Sequence, residues 1–544
     1  MAKDVMHEIP PIRGIFRTDE DALAVYAESA GVARLIPRGV AVPFDAQDVE
    51  VLVRWASAGR VPLIPRGSGS SMSGAAVGDG VVVDLSRLRT IEPIDLAWSR
   101  VWCEPGVVRR EVEHSANAAQ LRFPVDPSSG TFATVGGMTA TNAAGPRSMR
   151  KGGGAMRRWV TALDCVFADG QRAVVRRGAA LVAGIPALDR WRQVAAAVRQ
   201  NATSLPASRV AKQSSGYGVH DFAASGELID LLVGSEGTLA LFVGVELALD
   251  TIPAETASVL ASWPTLDGAV RGAALAREAG AAACELLDRT FLEVAATGGP
   301  LPVPNDSEAV LLIELEGDAL VHARAAALAR AFEAAGAGSV VVGLDAESEE
   351  SLWALRHAAS PILSRLDPHL KSMQLVEDGC VPPERLGDYV RGVRHALDSA
   401  RLRGVIFGHA GDAHVHVNAL VDVRDDDWRE RARGFFDEVV SLTASLGGTL
   451  AGEHGDGRLR TPYLHRTWSA DALALFGTIK RTFDPNGILN PGVKVAAGAL
   501  DVLLCNKYDP ALAPFSERAR EVLARVERER AYDVARLEML TDGA

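Results

Sequence analysis

Residues 126–145 read DPSSGTFATVGGMTATNAAG, a run of small, hydroxylated and amide residues with a single charge at Asp126. A simple turn needs little of that chemistry. An extended ligand hydrogen-bonded along its length needs all of it. Upstream, residues 65–74 read PRGSGSSMSG, following the apolar run 61–64 and leading into a strand expected at 81–85. Glycines there let the backbone approach a diphosphate, and turn N–H groups can point at its oxygens. This is not the GxGxxG fingerprint, because Met72 holds the third glycine's place and a strand, not a helix, follows. Taken alone, such a loop is more often just a turn. Two of them in one half of the chain point toward a nucleotide-type cofactor.

The surroundings of both loops are β-rich. Strands are expected at 81–85, 101–104, 231–233 and 239–249, and a hairpin at 160–176 turning on Asp169-Gly170, with few long helices beyond 48–58 and 108–119. After Pro253, helical stretches at 267–279, 318–335, 348–366 and 383–402 alternate with apolar strands at 310–315, 339–342, 375–378 and 405–407. That is an α+β texture with helices packed on an open sheet, and it sets a boundary near residue 252. The last stretch, 515–540, is charged and helical without an obvious core role.

At 544 residues the chain exceeds what one hydrophobic core organises. A net charge of -12 argues against nucleic acid as the main partner, while a few local cations suffice for a small anion. The five cysteines are scattered and form no CxxC pair, so neither a disulfide framework nor a cysteine-ligated cluster is expected. The N-terminus lacks a signal-peptide pattern. The most apolar stretch, 231–249, is broken by Glu236, Gly237 and Glu246 and makes a poor membrane span. A cytoplasmic compartment follows as the expectation.

GHAGDAHVHVN at 408–418 places three of the chain's twelve histidines within eight residues. On a strand His414, His416 and Asn418 share one face, and the Gly411-Asp412 turn can fold His409 back toward His416. GEHGDG at 452–457 adds Glu453 and His454 between flexible glycines. Two imidazoles and a carboxylate with open positions suit a divalent transition metal; singly, each histidine reads as a satisfied loop residue.

PRGSGSSMSG, the 126–145 loop, SSGYGV (214–219) and LLVGSEGTL (231–239), in that order, resemble the PCMH-type FAD-binding domain of the vanillyl-alcohol oxidase flavoprotein family. Within it they are most similar to the D-lactate, D-2-hydroxyglutarate and glycolate dehydrogenase branch. The resemblance spans roughly residues 35 to 494 and implies an α+β fold: a two-subdomain FAD-binding domain, then an α+β substrate (cap) domain, with a C-terminal segment returning to the flavin. The implied division is an N-terminal helical segment (1–34), FAD-binding domain (35–252), cap domain (253–450), C-terminal segment (451–494) and helical extension (495–544). The resemblance assigns FAD contacts to Arg66, Gly67, Ser68, Gly69, Ser70, Ser71, Pro127, Ser128, Gly136, Gly137, Thr141, Asn142, Gly145 and Glu236. Asn490, in FDPNGILNPG (483–492), is a further one. Some relatives attach FAD through a histidine in the first loop; none is present here, with Ser70 near that place, so the flavin is expected to be noncovalent.

The same resemblance gives His409, His416 and Glu453 to a divalent metal, zinc or manganese, and makes His454 the general base. His414 falls beside the ligands rather than among them, and Asn418 lies by the substrate. Arg356 matches the arginine that binds the substrate carboxylate, with Ser360 one turn on. The hydroxyglutarate enzymes carry a lysine just before the position of Asp378. Val376-Glu377 stand there instead and Lys371 is out of register, which favours a small 2-hydroxy monocarboxylate such as lactate or glycolate. Longer relatives continue into an iron–sulfur domain, so electrons are expected to pass to a separate partner: an iron–sulfur subunit, quinone or cytochrome chain, at most peripheral to a membrane. Helix 516–540 offers a docking element or a solvated surface. Two rivals stay open: a flavin-dependent transferase similar to alkyl-dihydroxyacetone-phosphate synthase, and a metal-dependent hydrolase without flavin.

Overall fold

Short apolar runs punctuated by Gly, Pro and Asp become strands, and the longer 3.6-periodic runs become the helices that cover them. The computed structural model describes residues 9–541 apart from 298, 300, 302, 305, 364–368, 499–500 and 502, and apart from the side chains of 357–363. A first sheet takes the order Ile15–Arg17, Gly39–Val42, Val81–Asp84, Leu63–Arg66, with the last three mutually parallel. Helix Ala46–Gly59 carries the chain across it, capped by the Asp45 carboxylate on the Asp48 N–H and burying Val49, Leu52, Val53 and Ala56. An antiparallel second sheet follows: Arg100–Cys103, Leu241–Ala248, Val160–Val166, Arg172–Arg176. Helices Pro186–Thr203 and Ala470–Phe483 close its core.

The third sheet has eight antiparallel strands. Its spine runs Ser339–Gly343, Glu255–Trp263, Ala309–Gly317, Ala283–Asp288, Arg403–His409, His414–Asp422 and Leu370–Met373, with Gly379–Cys380 also on His414–Asp422. Helices Leu266–Glu278, Val321–Ala334, Leu386–Ser399 and Trp428–Ser445 bury one face. The other face is apolar only in part: Leu260, Leu287, Leu312 and Val405 pack under helix Arg289–Ala296. Strand alternation puts Glu285, His409, His414, His416 and Asn418 on that same face. This half-covered face positions the site.

Several expectations are corrected. Residues 231–233 do not continue a strand: helix Ile229–Leu232 takes the first two and Val233 caps it, because the turn that follows needs positive φ at Gly234 (85°) and Glu236 (51°). Residues 375–378 form a loop between Leu370–Met373 and Gly379–Cys380. A strand would send Glu377 and Asp378 to opposite faces, whereas Arg460 pairs with both. Helix Pro186–Thr203, with Pro at its first turn, adds a long helix to the first half, where few are expected. The expected helical N-terminal segment supplies a strand, Ile15–Arg17, as well as helix Glu20–Tyr26. The 515–540 stretch breaks at Arg530 (φ 54°) into Glu517–Glu529 and Arg536–Thr541, and it does have a core role: Ala519, Val522, Val526 and Leu537 pack on Ala22, Val25 and Tyr26. Part of the expected 348–366 helix, and the side chain of Ser360, lie outside the described residues. None of the five cysteines is in a disulfide. No helix among the described residues is long and apolar enough to cross a membrane.

Candidate active site

The site is built on the hairpin Arg403–His409 / His414–Asp422, whose tight turn needs positive φ at Ala413 (53°). Its register sets His409 opposite His414, Phe407 opposite His416 and Val405 opposite Asn418. Loop 449–457 closes over this face, tied down by paired hydrogen bonds between Cys380 and Thr449 and by the Gly452 N–H on the Asp378 carbonyl.

Outer partners fix each ring. His409 Nδ1–H donates to Glu285 Oε1 at 2.5 Å, His416 Nδ1–H to the Glu377 carbonyl at 2.7 Å, and His414 Nε2–H to Asp378 Oδ1 at 2.8 Å. The other ring nitrogens therefore face inward: His414 Nδ1 and His416 Nε2 offer lone pairs, and His409 Nε2 offers one when its proton gives way to a cation. His409 Nε2 lies 3.4 Å from His416 Nε2 and 3.2 Å from Glu453 Oε1. His414 Nδ1, buried and without a hydrogen bond, lies 3.9 Å from Glu453 Oε2. Lone pairs on His409, His414, His416 and Glu453, all within 4.8 Å of one another, make a donor set that fits a divalent cation. His414 thus stands among the donors, not beside them.

Charges around the set are strongly biased. Burial alone would raise Glu453, but Lys212, whose Nζ donates to Oε2 at 2.9 Å, and His409 hold it well below the ordinary carboxylate range. Glu285 is likewise held at about 2 against burial by His409 and Arg356. Burial pushes His414 down to about 3. His454 goes the other way: against burial, Asp378 and the Glu377 hydrogen bond raise it to about 9. Its Nδ1–H donates to Glu377 Oε1 at 3.0 Å, leaving Nε2 toward Glu453 Oε1 at 3.8 Å.

Arg356 is buried on this face, with Nε donating to Glu285 Oε2 at 2.7 Å and its guanidinium 4.9 Å from the Phe407 ring centroid. That excludes a solvated helix arginine. Asn418 is buried two positions beyond His416 on the same strand face.

The two glycine-rich loops lie against each other: a Cβ on Gly67 would collide with Thr134 Oγ1 of the second loop. Gly69 (φ 73°) sits over the buried Arg66 guanidinium, whose Nη2 has no hydrogen-bond partner. Ser68 and Ser70 share a hydroxyl contact at 3.0 Å, while Ser71 and Ser73 lie 3.4 Å apart. Ser73 Oγ donates to the His454 carbonyl at 3.1 Å, so the first loop abuts loop 449–457. Thr134 caps helix Val135–Thr141 by accepting from the Gly137 N–H; a Cβ on Gly136 would press into Pro105. The Gly145 carbonyl accepts from Lys212 Nζ at 3.0 Å, joining the second loop to the metal donors. Pro127 accepts from the Gly130 N–H and Ser128 is exposed.

Four assigned side chains are engaged within the protein. Thr141 Oγ1 donates to the Gly137 carbonyl, and Asn142 Oδ1 accepts from the Arg157 N–H. Glu236 takes Lys494 at 2.7 Å and the N–H groups of Asp456 and Gly457. Asn490 donates to the Ala75 and Glu236 carbonyls and accepts from Arg458. These shape the cradle. Closely apposed glycine loops and an orphaned cationic nitrogen beneath them fit a diphosphate-bearing cofactor.

Sequence reading missed Glu285, Lys212, Arg460 and Lys494. Glu285 had a signal, a lone acid in the apolar run 281–287, since a buried carboxylate must be paired. Lys212 stands two residues before SSGYGV. Arg460 and Lys494 had only their nearness to the quoted motifs. A separate cavity of about 400 Å³ opens between the second loop and the large sheet, lined by Asp126, Arg147, Glu314 and Trp353 among others. Its arginines are matched by carboxylates, as Arg147 is by Asp126 and Glu314, and the histidine donors do not line it.

Comparison with known proteins bears on the domains and the fold. The FAD binding domain family matches residues 37–176, and the C-terminal domain of FAD linked oxidases matches 252–493. The chain is 28% identical to glycolate oxidase subunit GlcD of Bacillus subtilis (strain 168) over 506 residues, 92% of this chain and 98% of that protein. It is 28% identical to D-lactate dehydrogenase of Archaeoglobus fulgidus (83% and 90% covered) and 29% identical to D-2-hydroxyglutarate dehydrogenase of Escherichia coli K12 (85% and 48%). Among solved structures, 4-ethylphenol oxidase from Gulosibacter chungangensis superposes with a TM-score of 0.66 at 16% identity, covering 88% of this chain and 94% of that one. Alkyldihydroxyacetonephosphate synthase gives 0.58 at 15%, covering 88% and 82%; both likenesses concern the fold. The chain belongs to the FAD-linked oxidase family, with an FAD-binding domain followed by the family's C-terminal domain.

Proposed function

We propose that the protein is an FAD-dependent dehydrogenase oxidising a small D-2-hydroxy acid, of the lactate or glycolate type, to its 2-oxo acid. The observation that carries this is the set of inward lone pairs on His409, His414, His416 and Glu453 beside both a basic imidazole, His454, and a buried guanidinium, Arg356. When bound, noncovalent FAD accepts a hydride at N5 and a divalent cation, zinc or manganese, acidifies and orients the substrate hydroxyl. His409, His416 and Glu453 would hold the cation, with His414 Nδ1 as a fourth donor. Residues 66–71, 127–128 and 136–145 would line the flavin, with Glu236 and Asn490 holding those loops in place.

Arg356 binds the substrate carboxylate; Glu285 orients it through Nε and Phe407 supports it from below. Asn418 contacts the substrate from the neighbouring strand position. His454 takes the hydroxyl proton at Nε2, because Nδ1–H is anchored on Glu377. Glu453 Oε1 lies 3.8 Å from that nitrogen, and a cation held there would oppose the raised basicity of His454 by charge repulsion. Lys371 lies 5.2 Å from the Tyr508 ring centroid, which supports a monocarboxylate over a substrate with a distal carboxylate. The proposal divides the chain at residues 34, 252, 450 and 494 and includes a separate electron acceptor.

The test is the visible spectrum of the purified protein with D-lactate or glycolate added under anaerobic conditions. Bleaching of the flavin bands by either acid, with L-lactate inert, is the expected outcome. A flavin that stays oxidised with every D-2-hydroxy acid tried, metal replenished, would sink the reading.

A further inference from the structure

The C-terminal hairpin, which lies beyond the 252–493 family match, touches both glycine-rich loops. On the first, Arg536 Nη2 donates to the Ser68 carbonyl at 3.4 Å. On the second, Tyr532 and Phe132 rings meet at 5.1 Å, and the Arg530 guanidinium lies 5.1 Å from the Phe132 centroid. The hairpin's entry strap is also fixed here: Lys507 N–H and Cys505 carbonyl pair with Val32 and Arg34, while Ala30 N–H and Gly31 N–H donate to Gly69 and Ser71 of the first loop. Packing on helix Glu20–Tyr26 requires none of these loop contacts.

Charge gives the second observation. Arg66 and Arg536 are each 3% exposed. Burial, and then the neighbouring Arg66 charge, pushes Arg536 down to about 10. Arg66 Nη2 is an orphan donor in that pair. The carboxylates acting on this pair are Asp84 and Glu28, and Glu28 is already paired with Arg34, so two carboxylates serve three guanidiniums. Two adjacent buried guanidiniums with a donor unused ask for an anion.

We propose that this hairpin is part of the cofactor site: Arg536 and Arg66 seat the diphosphate of the dinucleotide, and Tyr532 with Arg530 closes the cleft against the second loop. The inference rests on the FAD reading above. It makes the extension a clasp whose loss is read as cofactor escape, not as slower chemistry in the loaded enzyme.

The test measures FAD affinity and dissociation rate by flavin fluorescence on apoprotein, alongside thermal protection by ADP as a probe of the diphosphate seat. Arg536→Gln should release FAD about 10-fold faster or more, the worth of one hydrogen bond to a charged group, and lose protection by ADP. Arg536→Lys should recover part of both. Because Arg536 is buried, the exposed Arg530 and partly buried Tyr532 provide a second measurement: Arg530→Ala/Tyr532→Ala, its fold checked by a melting curve, should also speed release. Wild-type release rates and ADP protection in folded Arg536→Gln, or an unchanged release rate in the double variant, would overturn the clasp. A wild-type chain that takes up no FAD overturns the cofactor reading itself, and the clasp with it.

Discussion

Two buried polar clusters in this protein are built in opposite senses. On the large sheet, His409, His414, His416 and Glu453 turn lone pairs toward one point, their protons committed outward to Glu285, Glu377 and Asp378. Under the first glycine-rich loop, Arg66 and Arg536 bring donors together with one left unused. Each would be costly if it stayed as it is. Which hydrogens point in therefore tells the sign of the ligand each cluster suits: acceptors converge for a cation, donors for an anion. The clusters meet through the loops, Ser73 reaching the His454 carbonyl and Lys212 linking Gly145 to Glu453.

The comparison breaks most visibly at Glu453, the one anionic donor of the first cluster. Glu453→Ala should lower metal affinity by more than about 100-fold, beyond the range for outer partners, and reduce turnover to a comparable extent. It should leave FAD binding near wild type. Metal analysis after dialysis, with flavin content measured on the same sample, separates the two. Joint loss of metal and flavin would mean that the clusters are one cooperative unit and not two sites.

A smaller effect is expected one shell outward. Glu285 holds His409 by Nδ1 and Arg356 by Nε. Glu285→Gln keeps the shape but lets His409 flip tautomer and unseats Arg356. Metal affinity should fall by about 10–100-fold, and KM for the hydroxy acid should rise, since a single side chain serves both. Titration with cobalt as a spectroscopic probe reads the first, steady-state kinetics the second. A variant with altered metal binding and unchanged KM would detach Arg356 from the carboxylate role.

The two clusters were unequally legible in sequence. The histidines are readable because a strand shows alternate residues to one face, so 414, 416 and 418 carry their geometry on the surface of the text. Glu285 was readable in principle, as a lone acid in an apolar run. Residues 375–378 resemble a strand in sequence because apolar Leu375 and Val376 hide that the next two side chains are drawn to Arg460, far along the chain. Arg536 was beyond reach. Its partner Ser68 is 468 residues away, and amphipathic charge in a terminal helix reads the same whether the helix is a solvated surface or a clasp. Local periodicity encodes faces; it does not encode which distant loop a face will meet.

The finest distinction lies on one strand, Ala283–Asp288. Glu285 has cationic partners and is held at about 2, whereas Asp288, buried three residues on with Arg394 only 3.6 Å away, is pushed up to about 6 by burial. Asp288 caps helix Arg289–Ala296 through the Phe291 N–H, so its carboxyl is structural. Because its folded value exceeds the ordinary 3.8, the folded state holds this proton more tightly. Stability from this group is thus full below about pH 4 and declines as pH rises to about 6, by about 3 kcal/mol for a shift of roughly two pH units. Asp288→Asn keeps an acceptor for the cap and removes the proton. The variant should match wild type near pH 4 and melt a few degrees higher at pH 7.5, with no change in metal or flavin content. If wild type instead gained on the variant as pH rose, the Arg394 pairing would outweigh burial, and Asp288 would resemble Glu285 after all.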